Sequence, residues 1–213
     1  MKIEDVISAR KIQRTLHFTT NRGVLGVLAT GLLKSRKRLN ADDQLKHIFQ
    51  PNAASRDKDI AWLDYVNLSV SEINGSFFDI CARKWHRGKE FWWAILEFEA
   101  QILSHDGVFF STTNNIYTSV ERGIGGNGLE ALFAPSVRRW PGSVAYRPNG
   151  LSQDLPTCCQ AEILYPGELS TRFLSTIHID NYDIEDEVAA QIAAVGHDSV
   201  NLKISPEMFR KAP

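Results

Sequence analysis

Two side chains in this sequence have the chemistry and the setting of active-site groups, and the first is a histidine near the N-terminus. His17 lies in the run Leu-His-Phe-Thr-Thr, whose aromatic and β-branched residues favour a strand. Apolar residues at helical spacing follow from Val24, with Asn21 as the predicted N-cap and Gly31 as the residue that ends the helix. We therefore place His17 where a strand turns into a helix, a common location for ligand-binding groups. The alternative is a core histidine with its hydrogen bonds satisfied.

The second is Glu162, which stands at the centre of the otherwise apolar run CCQAEILYP. Strand alternation sends Ala161 and Ile163 to one face of this predicted strand and Glu162 to the other. A carboxylate within such a strand is costly to bury unless it is paired or faces a cleft. The alternative is a glutamate on the solvated face of an edge strand.

Two basic clusters indicate a possible contact with nucleic acid, although the net charge of the chain is only −1. The segment LLKSRKRLN places four cations in a predicted turn: Lys34, Arg36, Lys37 and Arg38. The segment SVRRWPGSVAYRP combines arginines with aromatic rings: Arg138, Arg139, Trp140, Tyr146 and Arg147. Single-stranded nucleic acid needs cations for its phosphates and flat rings for its bases. A solvated loop is the alternative for both segments.

Composition is that of an ordinary globular protein. The 213 residues, 43% hydrophobic and 23% charged, favour a single domain over residues 1–213. No run of about 18 apolar residues predicts a membrane span, and MKIEDVISARKIQR at the N-terminus lacks an apolar signal core. Of the three cysteines two are adjacent and poorly placed to bridge each other, which favours a reduced, cytoplasmic setting. Scattered histidines without a Cys-x-x-Cys motif predict no metal site.

Strand and helix patterns do not alternate strictly along the chain. After a polar, partly helical stretch at residues 40–59, strands are predicted at residues 64–70, 91–103, 107–114, 158–166 and 174–180. Helices are predicted at residues 75–85 and 183–195, and an irregular loop is predicted to run up to residue 156. The GIGGNG segment lacks the setting of a dinucleotide-binding motif and predicts a flexible turn before the helix LEALFAP. This order favours an α+β fold with a largely antiparallel sheet.

The histidine-led strand, the helix and the following GLL resemble the start of ADP-ribosyltransferases of the diphtheria-toxin and poly(ADP-ribose) polymerase type. An ordered set of segments over roughly residues 12–180 resembles a divergent branch of the DarT family of DNA ADP-ribosyltransferase toxins: LHFTT, SRDKDIAWLDYVNLSV, TTN, a long loop and QAEIL. The resemblance implies an ADP-ribosyltransferase-like fold with a central, largely antiparallel split sheet and flanking helices.

The resemblance also implies roles for individual residues. It assigns the binding of NAD, the substrate, to His17, Phe18, Thr19, Phe77 and Phe78, with one of the two phenylalanine rings against the nicotinamide. It makes Glu162 and Arg56 catalytic, Arg56 near the nicotinamide and the incoming base, and it requires no metal. It assigns DNA recognition to the loop of residues 136–157, and thus to Arg138, Arg139, Trp140, Tyr146 and Arg147.

The implied function is that of a toxin from a toxin–antitoxin system, which transfers ADP-ribose from NAD to a base of single-stranded DNA and releases nicotinamide. Its implied partner is an antitoxin that removes ADP-ribose from DNA, a macrodomain protein or similar, and no membrane is involved. Thymine-modifying members carry an Asn-Pro-Met-Leu-Tyr-like segment where this chain has NGSFFDIC, which favours guanine over thymine. The alternatives are an RNA- or protein-directed NAD-dependent transferase of the same fold and a non-catalytic nucleic-acid-binding module.

Overall fold

The computed structural model describes residues 1–47, 51–52, 57–87, 90–198 and 200–210. Its α-helices are α1 (Ile3–Arg10), α2 (Asn21–Thr30), α3 (Arg36–Ala41), α4 (Gly75–Asp79), α5 (Gly125–Ala131) and α6 (Glu185–Val195). Its strands are β1 (Arg14–Thr20), β2 (Leu32–Lys34), β3 (Tyr65–Val70), β4 (Trp93–Glu99), β5 (Phe109–Ser111), β6 (Arg122–Ile124), β7 (Ser136–Trp140), β8 (Ser143–Tyr146), β9 (Glu162–Pro166), β10 (Glu168–Ser170), β11 (Leu174–Ile179) and β12 (Asn201–Ile204). A π-helix, Ile80–Trp85, and five 3₁₀ segments complete the described chain: Asp57–Trp62, Ala100–Ser104, Thr171–Phe173, Tyr182–Ile184 and Pro206–Phe209.

The central sheet has eight strands in the described chain, in the order β12-β11-β4-β1-β3-β9-β5-β6. Neighbouring strands run antiparallel apart from the parallel pair β11 and β12. All seven residues of β1 pair with β4, whereas only Thr15 and Leu16 pair with β3. The sheet therefore splits between β1 and β3 beyond Leu16. This confirms the predicted α+β fold with a largely antiparallel split sheet.

The first strand and helix form as their local sequence predicts, with two differences. His17 lies at the centre of β1 and not at its end, because the strand continues to Thr20 before α2 begins. Gly31 ends α2 in the left-handed conformation with φ at 66°, which a glycine adopts without strain. The predicted cap, Asn21, is instead the first helical residue. Thr20 is the N-cap, because its hydroxyl accepts a hydrogen bond from the backbone N–H of Gly23.

Two buried hydrophobic clusters pack against the strands beside the split. Val24 and Leu28 of α2 belong to the larger buried cluster, which also contains Leu96 of β4. A smaller cluster packs Phe18 of β1 against Phe78 of α4. Val66 and Leu68 of β3 also belong to the larger cluster, so packed residues back the strands on both sides of the split.

Several predicted elements are shorter than their sequence patterns. The predicted strand 91–103 ends at Glu99, because the chain turns into a 3₁₀ segment that buries Ile102 and Leu103. The predicted strand 107–114 is reduced to β5, because the Ser111 hydroxyl donates to the carbonyl of Thr113 and closes a turn. Residues 64–70, 174–180 and 183–195 are confirmed as β3, β11 and α6.

Three other predictions are wrong about local structure. The glycine-rich segment is not a flexible turn but the start of α5, where Gly128 packs so closely on the backbone of Gly123 that a Cβ would lie 2.4 Å from it. The loop before residue 156 contains a hairpin of β7 and β8. The basic segment 34–38 is not a turn but β2 and α3, and Ser35 caps α3.

Candidate active site

A cavity of about 490 Å³ opens where β1 and β3 diverge. Its volume falls within the range of about 300–1,000 Å³ that small-molecule sites occupy. Its wall combines residues from β1, the start of α2, β3, α4 and the first position of β9. Of the seven residues predicted to bind NAD or to be catalytic, five lie on this wall: His17, Phe18, Thr19, Phe77 and Glu162.

The charged groups on the cavity wall favour an anionic ligand. The described wall carries four cations and two carboxylates: Arg22, Lys34, Arg36, Lys58, Asp59 and Glu162. Lys34 is paired with Asp42 at 2.7 Å. An excess of positive charge around a cleft with low-dielectric walls concentrates anions such as a pyrophosphate.

His17 is held in one tautomer by the split of the sheet. Its Nδ1 lies 2.9 Å from the carbonyl oxygen of Asn67 on β3. A carbonyl only accepts, so Nδ1 carries the proton and donates. Burial lowers the pKa of His17, against the opposing effect of this hydrogen bond, so the ring is neutral at physiological pH. Nε2 then carries a lone pair and can accept a hydrogen bond from a ligand in the cavity.

Thr19 lies on the same face of β1 as His17, two residues along the strand. Its hydroxyl packs directly over Gly23 of α2, where an added Cβ would lie 1.9 Å from Oγ1. The absence of a side chain at Gly23 therefore gives the Thr19 hydroxyl its place on the cavity wall.

Glu162 is the first residue of β9, not its centre, because the chain turns at residues 158–161 before the strand begins. It is half-buried, and it lies opposite Ser111 in a strand that is flanked on both sides by other strands. Its Oε2 accepts a hydrogen bond from the backbone N–H of Asn115 at 3.0 Å. The carboxylate thus faces the cavity from inside the sheet, in a fixed orientation.

The two predicted phenylalanines occupy different environments. Phe78 is buried in the core with its ring edge-on to Phe18 at 5.4 Å. Phe77 lies on the cavity wall, and its ring meets Trp85 edge-on at 6.0 Å. Trp85 ends the π-helix, lines the cavity and is 44% exposed. Phe77 and Trp85 together form an aromatic wall that a flat ring can contact.

Arg56 lies outside the described residues, so its predicted role stays a prediction. Described residues on either side of the segment that contains Arg56 line the cavity. Asn52 donates to the backbone carbonyl of Phe18 at 2.6 Å, and Lys58 and Asp59 lie on the wall.

The predicted DNA-binding residues are spread over the β7–β8 hairpin and the loop that follows it. Trp140 is 42% exposed at the hairpin tip, with the guanidinium of Arg139 over its ring at 4.7 Å. Arg138 and Tyr146 are also exposed. Arg139 is half-buried, so Arg138, Trp140 and Tyr146 are the members of this set that the hairpin exposes to solvent.

Arg147 differs from the other arginines in the predicted set. Its guanidinium donates to the carbonyl oxygens of Leu155 and Ser152, each at 2.8 Å. Arg147 therefore braces the loop that leads into β9.

Two cations of the basic segment LLKSRKRLN, Lys37 and Arg38, form ion pairs. Arg38 pairs with Asp64 and Glu168, each at 3.1 Å, and Lys37 lies 3.6 Å from Asp64. These pairs tie α3 to β10 and to the residue before β3, so Lys37 and Arg38 have less charge to offer a phosphate than the exposed hairpin.

The groups that surround Glu162 were not predicted from the sequence. Asn115 holds its carboxylate, and Asp59 and Arg122 in turn bond to Asn115. The one available signal was the pair of asparagines that follows β5. Within the described residues, no cluster of three or more metal-binding side chains occurs, and no helix is long and apolar enough to cross a membrane.

Comparison with known proteins gives one family. The sequence matches the family model described as ssDNA thymidine ADP-ribosyltransferase, DarT, over residues 16–210. No curated protein matches the chain.

Several solved structures share the fold. DarT from Thermus sp. 2.9 in complex with NAD+ has a TM-score of 0.64 at 15% identity, over 92% of this chain and 96% of that chain. The same protein in complex with ADP-ribosylated ssDNA has a TM-score of 0.63 at 13% identity, over 93% and 97%. DarTG from Thermosipho africanus in complex with ADP-ribose has a TM-score of 0.59 at 11% identity, over 92% of this chain and 51% of that chain.

Proposed function

The chain belongs to the DarT family of single-stranded-DNA ADP-ribosyltransferases, and we propose that its cavity binds NAD and places Glu162 beside the ribose that is transferred. One observation carries this proposal: His17, Thr19 and Glu162, from distant parts of the sequence, line a single cavity. The Thermus relative of the same fold was solved with NAD+ and, separately, with ADP-ribosylated ssDNA. The excess of cations on the wall suits the pyrophosphate of NAD.

The reaction exchanges one bond at the ribose C1′. The bond from C1′ to the nicotinamide nitrogen breaks, and its electron pair stays on that nitrogen and neutralises the ring charge. A nitrogen of a DNA base forms the new bond to C1′ and loses a proton. Positive charge develops on the sugar between these events, and the Glu162 carboxylate stabilises it. The same carboxylate can accept the proton from the base.

The other wall residues hold the donor. Neutral His17 accepts a hydrogen bond from a ribose hydroxyl through Nε2, because Asn67 fixes the proton on Nδ1. The Thr19 hydroxyl, kept in place over Gly23, supplies a second polar contact. Phe77 and Trp85 lie against the nicotinamide and exclude water that would otherwise hydrolyse NAD. Arg56 as the cation near the nicotinamide belongs to the same proposal.

The β7–β8 hairpin and its loop bind the DNA acceptor in this proposal. Arg138 and Arg139 contact phosphates, and Trp140 and Tyr146 stack on bases, while Arg147 braces the loop. An unpaired base enters the cavity freely, whereas a paired base must first leave its stack at a cost of a few kcal/mol. Single-stranded DNA is therefore the preferred acceptor over duplex DNA.

The proposal also specifies which DNA base accepts the ADP-ribose. The segment NGSFFDIC contains the N-cap of α4, α4 itself and the first two residues of the π-helix. We predict that this segment favours guanine as the acceptor. The description of the matched family names thymidine. Asn74 and Phe77 of this segment line the cavity, so a change of segment can change which base is accepted.

Mass spectrometry of oligonucleotides tests the function and the base together. Four single strands, each lacking one of the four bases, are incubated with NAD and the protein, with a duplex and an RNA of matched sequence alongside. We expect one added ADP-ribose per modified strand and an equal amount of released nicotinamide. Both should be missing only for the strand that lacks guanine. Loss only in the strand that lacks thymine would make thymine the acceptor. NAD consumption only with the RNA, or none at all, would overturn a DNA transferase.

The proposed biological role is that of a toxin with an antitoxin that removes ADP-ribose from DNA. Modified bases block replication, so expression of the chain should arrest growth, and a DNA-directed ADP-ribosyl hydrolase should relieve the arrest. The Thermosipho relative, DarTG, was solved in complex with ADP-ribose. Normal growth with high levels of the active chain would contradict the toxin role.

A further inference from the structure

Asn115 forms hydrogen bonds with three side chains from other parts of the chain: Glu162, Asp59 and Arg122. It lies in the loop of residues 112–121 between β5 and β6, and it is 3% exposed. Its backbone N–H donates to Glu162 Oε2 at 3.0 Å. Its side-chain Nδ2 donates to Oδ1 of Asp59 at 2.5 Å. One neutral residue thus bonds to two carboxylates, and it can do so because its donors come from separate groups.

Arg122 holds Asn115 from the other side. Its Nε donates to Asn115 Oδ1 at 2.5 Å, and its Nη2 donates to the Asn115 carbonyl oxygen at 2.7 Å. The guanidinium also lies 5.1 Å over the ring of Trp62. Two charge-assisted hydrogen bonds from a planar group fix both the backbone and the side chain of Asn115. The cation also offsets the negative charge of the two carboxylates on the far side of Asn115.

The register of the sheet gives the separation of Arg122 and Glu162. Ser111 pairs with Arg122 on one side and with Glu162 on the other, so all three lie in one row across β6, β5 and β9. Two strand spacings separate the backbones of Arg122 and Glu162 by about 10 Å. The guanidinium donates to Asn115, and the Asn115 N–H in turn donates to the Glu162 carboxylate.

We propose that Asn115 and Arg122 are positioning residues for the transfer: Arg122 fixes the 112–121 loop, and the Asn115 N–H then sets the orientation of the Glu162 carboxylate toward the ribose. The inference rests on the proposed function of Glu162. A carboxylate that loses this bond can rotate away from the developing charge, and a misplacement of about 1 Å costs about 100-fold in rate. Substrate binding does not require this alignment, so the effect belongs to kcat.

The test compares Arg122→Ala with a matched control, Arg10→Ala, in steady-state ADP-ribosylation of saturating single-stranded DNA at varied NAD. Arg10 also donates two hydrogen bonds, to Glu130, and also lies over an aromatic ring, Phe133, at 4.7 Å. We expect kcat of Arg122→Ala to fall about 10- to 100-fold with KM for NAD within about twofold of the wild-type value. Arg10→Ala should leave both constants unchanged.

Two further variants keep the inference testable if Arg122→Ala does not fold. Arg122→Lys keeps the charge with fewer donors, so its kcat should fall between the wild-type and alanine values. Asn115→Asp cannot donate to Asp59 and adds a third negative charge, so its kcat should fall at least as far as that of Arg122→Ala. Wild-type kcat in these folded variants, or a raised KM for NAD with kcat retained, would overturn the inference. A wild-type protein that modifies no DNA would instead overturn the proposed function.

Discussion

Replacing Glu162 with glutamine removes one negative charge from the cavity and leaves the shape of the side chain nearly unchanged. The amide oxygen of glutamine can still accept the hydrogen bond from the Asn115 N–H. The lost interaction is the attraction between the carboxylate and the positive charge that develops on the ribose. Two unit charges about 4 Å apart attract by about 4 kcal/mol at an effective dielectric constant of about 20. Each 1.4 kcal/mol or so is tenfold in rate, so kcat should fall by about 10³-fold.

The assay is nicotinamide release in the presence of single-stranded DNA, run beside calorimetric titration with NAD. Glu168→Gln is the matched control, because Glu168 is also half-buried and pairs with Arg38 outside the cavity wall. We expect the Glu162→Gln variant to bind NAD within a few-fold of wild type and the Glu168→Gln variant to turn over normally. Turnover of Glu162→Gln within tenfold of wild type would refute the electrostatic role of this carboxylate.

Three further predictions concern the donor and acceptor sites. Burial lowers the pKa of His17, so NAD affinity should be level through the neutral pH range and fall in acid, where protonation of Nε2 removes the acceptor. A His17→Ala variant that binds NAD normally would contradict this. Gly23→Ala should displace the Thr19 hydroxyl and raise the dissociation constant of NAD about fivefold, because one hydrogen bond contributes about 1 kcal/mol. A dissociation constant equal to that of the wild type would argue against Thr19 as a contact. Trp140→Ala should weaken single-stranded DNA binding by about 1–3 kcal/mol in a fluorescence titration without changing NAD hydrolysis in the absence of DNA, whereas Tyr182→Ala, another exposed aromatic, should change neither.

Local sequence patterns predicted the elements whose formation depends on nearby residues. The strand at His17, the helix that ends at Gly31 and the helix near the C-terminus each follow from apolar spacing and from residues that start or end helices. The antiparallel character of the sheet follows from the order of these elements. The family follows from the order of the segments around His17 and Glu162.

Patterns failed where long-range packing decided the local structure. The glycines of α5 suggested a turn, yet they form a helix because their missing side chains let two backbones approach closely. The β7–β8 hairpin was expected to be irregular, because its strands are short and half-exposed and their alternation is weak. Glu162 begins β9 because of a turn that the apolar run does not reveal.

The sequence by itself determined that a strand containing His17 and an apolar strand containing Glu162 exist, since the signals for each strand lie within a few residues of the side chain. Only the tertiary structure decided that His17 and Glu162 share one cavity. The strand order β1-β3-β9 brings them together, and the divergence of β1 from β3 makes the space between them. The bonds from Asn115 and Arg122 around Glu162 also depend on the register of β6, β5 and β9. Strand order and register arise from contacts between residues far apart in the chain, and a local pattern carries no record of those contacts.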